Sequence, residues 1–257
     1  AEFSLNIATV TDGALNPCLY PIIREWGFRT GEYKVPEESV INSLLTKTDY
    51  TKVKILDEQN MPLQIVASIQ LEKDMMIDFG AVGKGYAGDE AIKVLKEFGI
   101  KSALLDLGGN IQVIGKKPDG SDWTVGIKDP LDKESVICSV QVNDKAVITS
   151  ASYERYFEGP DGHKYIHIFD GTTGCPVENE MLSTTAIASS GTYCDGLSTT
   201  LYVLGVEKSI DFWKKQNDFD FILITKNKEI YISKNIQNKF SLIDSNNYKE
   251  YVIKIVK

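Results

Sequence analysis

The stretch MIDFGAVGKGYAGDEAIKVLKEFG, residues 76–99, constrains the chain more than any other. It reads as a short apolar strand over Met75–Phe79, a glycine-rich loop, and a helix over Asp89–Phe98 that stops at Gly99. Glycine loops before helices let backbone N–H groups approach an anion, usually a phosphate. Gly83, Gly85 and Gly88 satisfy G-x-G-x-x-G, and Asp106 ends the next expected strand about 20 residues on, near the dinucleotide fingerprint. Two features oppose a Rossmann unit. Asp78–Val82 separate the strand from the first motif glycine, and beyond Asp106 the pattern turns to hairpins instead of further βαβ units. A kinase reading of Asp78-Phe79-Gly80 lacks an HRD-like loop before it, and a P-loop lacks Ser or Thr after Lys84. A structural glycine turn with Lys84 in solvent stays open.

Composition narrows the classes. The 257 residues carry a net charge of −8, which argues against a nucleic-acid partner. It does not exclude phosphate chemistry, because a divalent cation can replace missing lysines. An apolar share of 42% and a charged share of 25% are those of a soluble globular protein. No apolar run approaches the roughly 20 residues of a membrane span. The four cysteines, Cys18, Cys138, Cys175 and Cys194, form no CxxC pair, so neither a disulfide framework nor cysteine-ligated zinc is expected. In HKYIHIFD the two histidines, His163 and His167, fall with Tyr165 and Phe169 in alternation with Lys164, Ile166 and Ile168, a strand pattern with both histidines on one face.

Periodicity places helices at Glu38–Lys47, Tyr193–Leu204 and Glu207–Gln216. Strands are expected at Leu63–Leu71, Ser102–Leu107, Trp123–Ile127, Val136–Val142, Ala146–Thr149, Tyr165–Phe169, Phe219–Thr225, Glu229–Ser233 and Tyr251–Val256. βαβ-like crossings within a mostly antiparallel remainder predict an α+β fold, with mixed, largely antiparallel sheets and packed helices. No repeat or Pro/Ser-rich linker interrupts the chain, so residues 1–257 are expected to form a single domain.

Several constellations carry chemistry. In GTYCDGLSTTLYVLG, Asp195 and Thr199 lie one helical turn apart on one face, with Ser198 beside them. A carboxylate, two hydroxyls and nearby loop carbonyls are an all-oxygen set suited to Mg²⁺. Spacing alone favours the plainer alternative, in which Asp195 caps the helix and the hydroxyls bond back to its carbonyls. DGTTGCPV reads as a turn, Gly108-Gly109-Asn110 as a strand end or a close backbone approach, and Asp12-Gly13 as another turn.

Taken in order, TDGALNP, REWGF, DFGAVGKGYAGD, LLDLGGNIQVIG with WTVGIKDP, ITSASYERYF, YIHIFDGTTGCPV and CDGLSTTLYVLG resemble the ApbE family of FAD:protein FMN transferases. The literal G-x-G-x-x-G then lies inside a D-x-G-x-x-x-K-G-Y-A-x-D signature. The resemblance implies a T-fold-related flavin transferase fold and Mg²⁺-dependent transfer of FMN from FAD to a threonine of an acceptor protein, with release of AMP. Alternatives are FAD hydrolysis to FMN and AMP, or FAD binding without turnover. It implies metal ligands at Asp195 and Thr199, with Ser198 beside them and the carbonyl of Ala81. It implies FAD contacts at Ala14, Leu15, Asn16, Asp78, Lys84 and Phe169, with His167 near the reacting phosphate as proton acceptor. Asn16 stands where many members carry aspartate. The family has a further region ahead of TDGALNP; relative to it this chain is expected to be N-terminally truncated, leaving a sheet edge open to homodimer contacts. Members work outside the cytoplasm, often as membrane-anchored lipoproteins, and modify electron-transfer proteins. No acceptor motif of the Asp-Gly-x-x-Ser-Gly-Ala-Thr type occurs here, so self-modification is not expected.

Overall fold

A computed structural model describes residues 1–56, 68–244 and 246–257. Helices α1 (Glu2–Val10), α2 (Tyr20–Glu25) and α3 (Glu38–Leu45) come first, followed by β1 (Lys54–Leu56) and β2 (Ser68–Gln70). Helix α4 (Gly83–Glu97) leads into β3 (Ala103–Asp106), β4 (Asn110–Ile114), β5 (Trp123–Asp129), β6 (Asp132–Val142) and β7 (Ala146–Ala151). Four short strands follow: β8 (Tyr156–Glu158), β9 (Lys164–Ile166), β10 (Phe169–Asp170) and β11 (Cys175–Pro176). The chain closes with β12 (Met181–Ala188), α5 (Gly191–Gln216), β13 (Asp220–Thr225), β14 (Glu229–Ser233), β15 (Phe240–Leu242) and β16 (Val252–Val256). The result is the expected α+β architecture.

These elements group into two compact units, one from Ala1–Phe79 with Tyr156–Val177, the other from Gly80–Arg155 with Glu178–Lys257. In the second, a seven-stranded sheet runs β16-β14-β13-β12-β7-β4-β3. Its neighbours are antiparallel except for the parallel β14–β16 pair. A three-stranded sheet, β15-β6-β5, shares a core with it: Val113, Val147, Ile187, Ile222 and Ile224 from the large sheet meet Val125, Ile127, Ile137 and Val140 from the small one. Strand alternation then turns the intervening residues to the other face, under α4 and α5. On that face lie Gln112, whose amide reaches Gly85 of α4, Ser150, which meets Ser198 of α5, and Thr184, whose hydroxyl donates to the Ser198 carbonyl.

Helix α5 bends at Gly205, held at φ 72° and ψ −179°, a region open essentially to glycine alone. The amide released at the bend, Val206 N, donates to Glu180 Oε1 at 2.7 Å. The two helices expected from sequence are the segments on either side. The first unit is held by an aromatic cluster of Trp26, Phe28, Phe157, Tyr165 and Phe169, with Ile22 and Ile41 packed against it.

Three local expectations change. Helix α4 begins at Gly83 instead of Asp89, so the glycines form its first turns. Residues 75–79 make no strand; Asp78 N instead donates to Pro17 O at 2.8 Å. The strand expected over Tyr165–Phe169 breaks at His167 and Ile168, so His163 and His167 share no strand face. Of the expected strand Leu63–Leu71, residues 63–67 lie outside the described residues and Ser68–Gln70 pairs with Lys54–Leu56.

Candidate active site

The site residues divide between the two units. In the larger one, the first turns of α4 and α5 cross at very short range. A Cβ on Gly85 would stand 2.2 Å from Gly191 O and 2.8 Å from Asp195 Cβ, so only glycine allows the approach. The contact delivers Gly85 N–H to Asp195 Oδ2 at 2.8 Å. Asp195 is 6% exposed. Burial pushes its carboxyl up to about 6, against the pull of the Gly85 amide, the Lys84 charge and the Asn110 amide.

Asp195 is not the cap of α5, which corrects the plainer alternative. Ser190 Oγ accepts from Tyr193 N at 3.2 Å. Asp89 of α4 takes the remaining orphan donors, accepting from Gly191 N at 2.6 Å and Thr192 N at 2.9 Å. It also accepts from Thr192 Oγ1 at 2.7 Å and Ser190 Oγ at 2.9 Å. With the helix end satisfied by Ser190 and from α4, the Asp195 side chain is not needed as a cap.

One turn on, Thr199 Oγ1 lies 3.2 Å from Ser150 Oγ of β7, which is also 2.8 Å from Ser198 Oγ. Ser198 is fully enclosed and its hydroxyl also donates to Asp195 O at 2.9 Å, as the helix-bonding alternative anticipates. Thr199 and Asp195 therefore present the more available oxygens. Ala81 is half-buried two residues before the start of α4, and Lys84 is exposed in the helix's first turn. Among the described residues, no three His, Cys, Asp or Glu side chains gather to hold a metal. The cation reading therefore rests on one carboxylate with hydroxyl and carbonyl oxygens. That hard-donor set fits Mg²⁺, and a buried carboxylate whose burial outweighs the pull of its neighbouring amides and of Lys84 is a position a cation would satisfy.

The smaller unit carries the other expected contacts. Ala14, Leu15 and Asn16 follow a turn in which Asp12 and Gly13 hold positive φ. Asn16 spends both ends of its amide on backbone, Nδ2 to Thr48 O at 2.9 Å and Oδ1 from Cys18 N at 2.8 Å. Its place in this turn is thus architectural, whatever else it touches. Leu15 is buried and Ala14 half-buried. The DGTTG turn lies close by, since a Cβ on Gly171 would stand 3.3 Å from Gly13 O. Asp78 pairs with the Arg29 guanidinium. Phe169 is buried, with its ring 5.9 Å from Trp26 and 5.7 Å from Phe28. His167 is half-buried in the bend between β9 and β10.

Five residues escaped the sequence reading as site members: Arg29, Asp89, Gln112, Ser150 and Asn110, the last read only as part of a strand end after paired glycines. Asp89 closes the K-G-Y-A-x-D signature and could have been singled out there; Arg29, Gln112 and Ser150 carry no signal short of the sheet register and the tertiary pairing.

Solved structures with this fold define the class as flavin transferases. An ApbE protein from Thermotoga maritima superposes with a TM-score of 0.83 at 29% identity, covering 93% of this chain and 75% of that one. The apo flavinyl transferase of Pseudomonas stutzeri gives 0.74 at 28% identity over 88% of this chain and 67% of that one. The family model described as the ApbE family matches residues 1–223, and the chain belongs to that family. A relative named FAD:protein FMN transferase from Klebsiella pneumoniae is 35% identical over 238 residues, 92% of this chain and 71% of its own length. Another of that name from Treponema pallidum is 32% identical over 95% of this chain and 69% of its own.

Proposed function

We propose that the chain is an FAD:protein FMN transferase that uses Mg²⁺, takes a threonine hydroxyl as acceptor and releases AMP. The observation that carries the reading is the buried Asp195 carboxylate, fixed by Gly85 N–H beside the Thr199 hydroxyl. In the reaction, the acceptor oxygen forms a bond to the phosphorus of the FMN half of FAD. The bond from that phosphorus to the bridging oxygen breaks, and AMP leaves with the electron pair. Asp195 and Thr199 would hold the cation with the Ala81 carbonyl, and when bound it supplies neutralisation of the pyrophosphate charge. Lys84, in the exposed first turn of α4, adds a charged donor for phosphate oxygens. His167 accepts the hydroxyl proton, a role an imidazole nitrogen can fill. Ala14, Leu15, Asn16, Asp78 and Phe169 belong to the flavin side, where the buried aromatic packing of Phe169 offers an apolar wall. An extracytoplasmic, lipid-anchored setting and a homodimer are part of the same reading and rest on the family resemblance.

The test is mass spectrometry of an acceptor peptide incubated with this chain, FAD and Mg²⁺. A peptide heavier by one FMN phosphoester, with AMP in solution, is the expected result. AMP and free FMN without an adduct would replace transfer by hydrolysis. Asp195→Ala is expected to abolish Mg²⁺-dependent product, and undiminished product from that variant would remove the metal assignment.

A further inference from the structure

A buried donor beside Asp195 makes no hydrogen bond of ordinary geometry. Asn110 opens β4 directly after Gly108 and Gly109, both at positive φ, and its side chain is 0% exposed. Its Oδ1 accepts from Gln112 Nε2 at 3.2 Å. Gln112 cannot turn over, because the same Nε2 donates to the Gly85 carbonyl at 3.0 Å. It is also wedged between helices: a Cβ on Gly88 or Gly191 would stand 2.1 or 1.9 Å from Nε2. The locked glutamine fixes the asparagine, since reversing the Asn110 amide would set two NH₂ groups against each other. Asn110 Nδ2 therefore faces away from Gln112, and it makes no hydrogen bond of ordinary geometry. The Asn110 amide also lies close enough to the Asp195 carboxyl to favour its ionised form.

A buried amide donor left open is rare, and each case calls for a reason. The glycines at 85, 88 and 191 make room for the chain of contacts from Gln112 to Asn110, and that chain ends beside the one buried carboxylate of the site. We propose that Asn110 is a positioning residue for Asp195. When a divalent cation draws the carboxylate into its ligating orientation, Asn110 Nδ2 closes on it as a second donor beside Gly85 N–H. The two donors then fix which lone pair faces the cation, as hydrogen bonds to metal-binding carboxylates commonly do. This inference rests on the assignment of Asp195 as a cation ligand.

The experiment is a Mn²⁺ titration of the full chain with saturating FAD, following the free Mn²⁺ signal by electron paramagnetic resonance. Wild type, Asp195→Ala, Asn110→Ala and Asn110→Ser are compared, with melting curves recorded without metal. Asn110→Ala is expected to bind Mn²⁺ about ten- to a hundredfold more weakly. Its metal-free melting midpoint is expected to fall only modestly, through the lost Asn110 Oδ1 acceptor of Gln112 Nε2, so the Mn²⁺ affinity and not the midpoint carries the test. Asn110→Ser keeps a shorter donor and is expected to fall between, and it carries the test if the alanine variant does not fold. A lowered midpoint with wild-type Mn²⁺ affinity in both variants would make Asn110 purely structural and overturn the inference. In that outcome the cation site would stand, provided Asp195→Ala loses Mn²⁺. If Asp195→Ala binds as wild type does, the site assignment falls and the role of Asn110 falls with it.

Discussion

At the scale of the single residue, Asp195 is in conflict with its surroundings. Its carboxyl is pushed from 3.8 up to about 6, burial being the largest cause and Gly85, Lys84 and Asn110 opposing it. A carboxyl raised on folding holds its proton more tightly in the folded state than in the unfolded one. Its contribution to stability is therefore fully present below about pH 3.8 and is lost as pH rises through about 6. Above that the metal-free protein carries a buried charge. Asp195→Asn is expected to stabilise the metal-free chain at pH 7 by on the order of 2 kcal/mol, and to give no gain below about pH 4. Urea unfolding in a chelator at both pH values checks it; a parallel pH dependence in the two proteins would show that Asp195 titrates normally. With FAD and Mg²⁺ present the order is expected to reverse, since only the aspartate gains from the cation.

At the scale of the element, the crossing of α4 and α5 explains why the glycine loop misled. The G-x-G-x-x-G pattern suggests backbone reaching for a phosphate. In the fold, Gly85 makes room for Gly191 and Gly88 for Gln112, and both sit inside a helix. Propensity placed the helix start at Asp89, because glycine is costly in helices; packing between helices overrides that cost here. Asp89 then does for α5 what a cap residue does for its own helix, from a neighbouring element. Asp89→Ala is expected to cost about 2 kcal/mol, with Asp89→Asn losing less, since four donors at 2.6–2.9 Å depend on that carboxylate. An unshifted urea midpoint for Asp89→Ala would deny the cap that role. The strands that alternate or run apolar were legible, as was the break in α5 at Gly205. β12 was not, because Ser183, Thr184 and Thr185 interrupt its apolar run while being fully buried. Their compensation is tertiary: Thr184 Oγ1 donates to Ser198 O at 2.6 Å, and Thr185 pairs with Thr149 at 2.8 Å. Asp195, Ser198 and Thr199 were readable as a group from helical spacing, but Ser150, Asn110 and Gln112 join them only through sheet register.

At the scale of the whole molecule, the sequence suggests one cooperative domain, and the two compact units put that expectation to a measurable test. The larger unit is built on a seven-stranded sheet whose core side chains are almost fully enclosed. The smaller has only two-stranded pairs among its described residues, one of them two residues long, and two-stranded ribbons contribute little stability alone. Its cohesion comes from side chains around Trp26, whose Nε1 donates to Gly174 O at 3.0 Å and whose ring lies 5.2 Å from Tyr165. Trp213 is the matching probe in the larger unit, 2% exposed with Nε1 donating to Phe219 O at 2.7 Å. The chain has three tryptophans, so replacing Trp123 and one other by phenylalanine isolates either probe. Local stability follows the density of enclosed apolar contact and paired backbone. Trp26 emission is therefore expected to shift at lower urea than Trp213 emission. If FAD contacts Ala14, Leu15 and Phe169 as proposed, it is expected to raise the Trp26 midpoint by mass action. Coincident transitions without ligand would make the chain a single cooperative unit, as its uninterrupted sequence suggests. Separate transitions drawn together by FAD would mean that the smaller unit relies on its substrate for part of its stability.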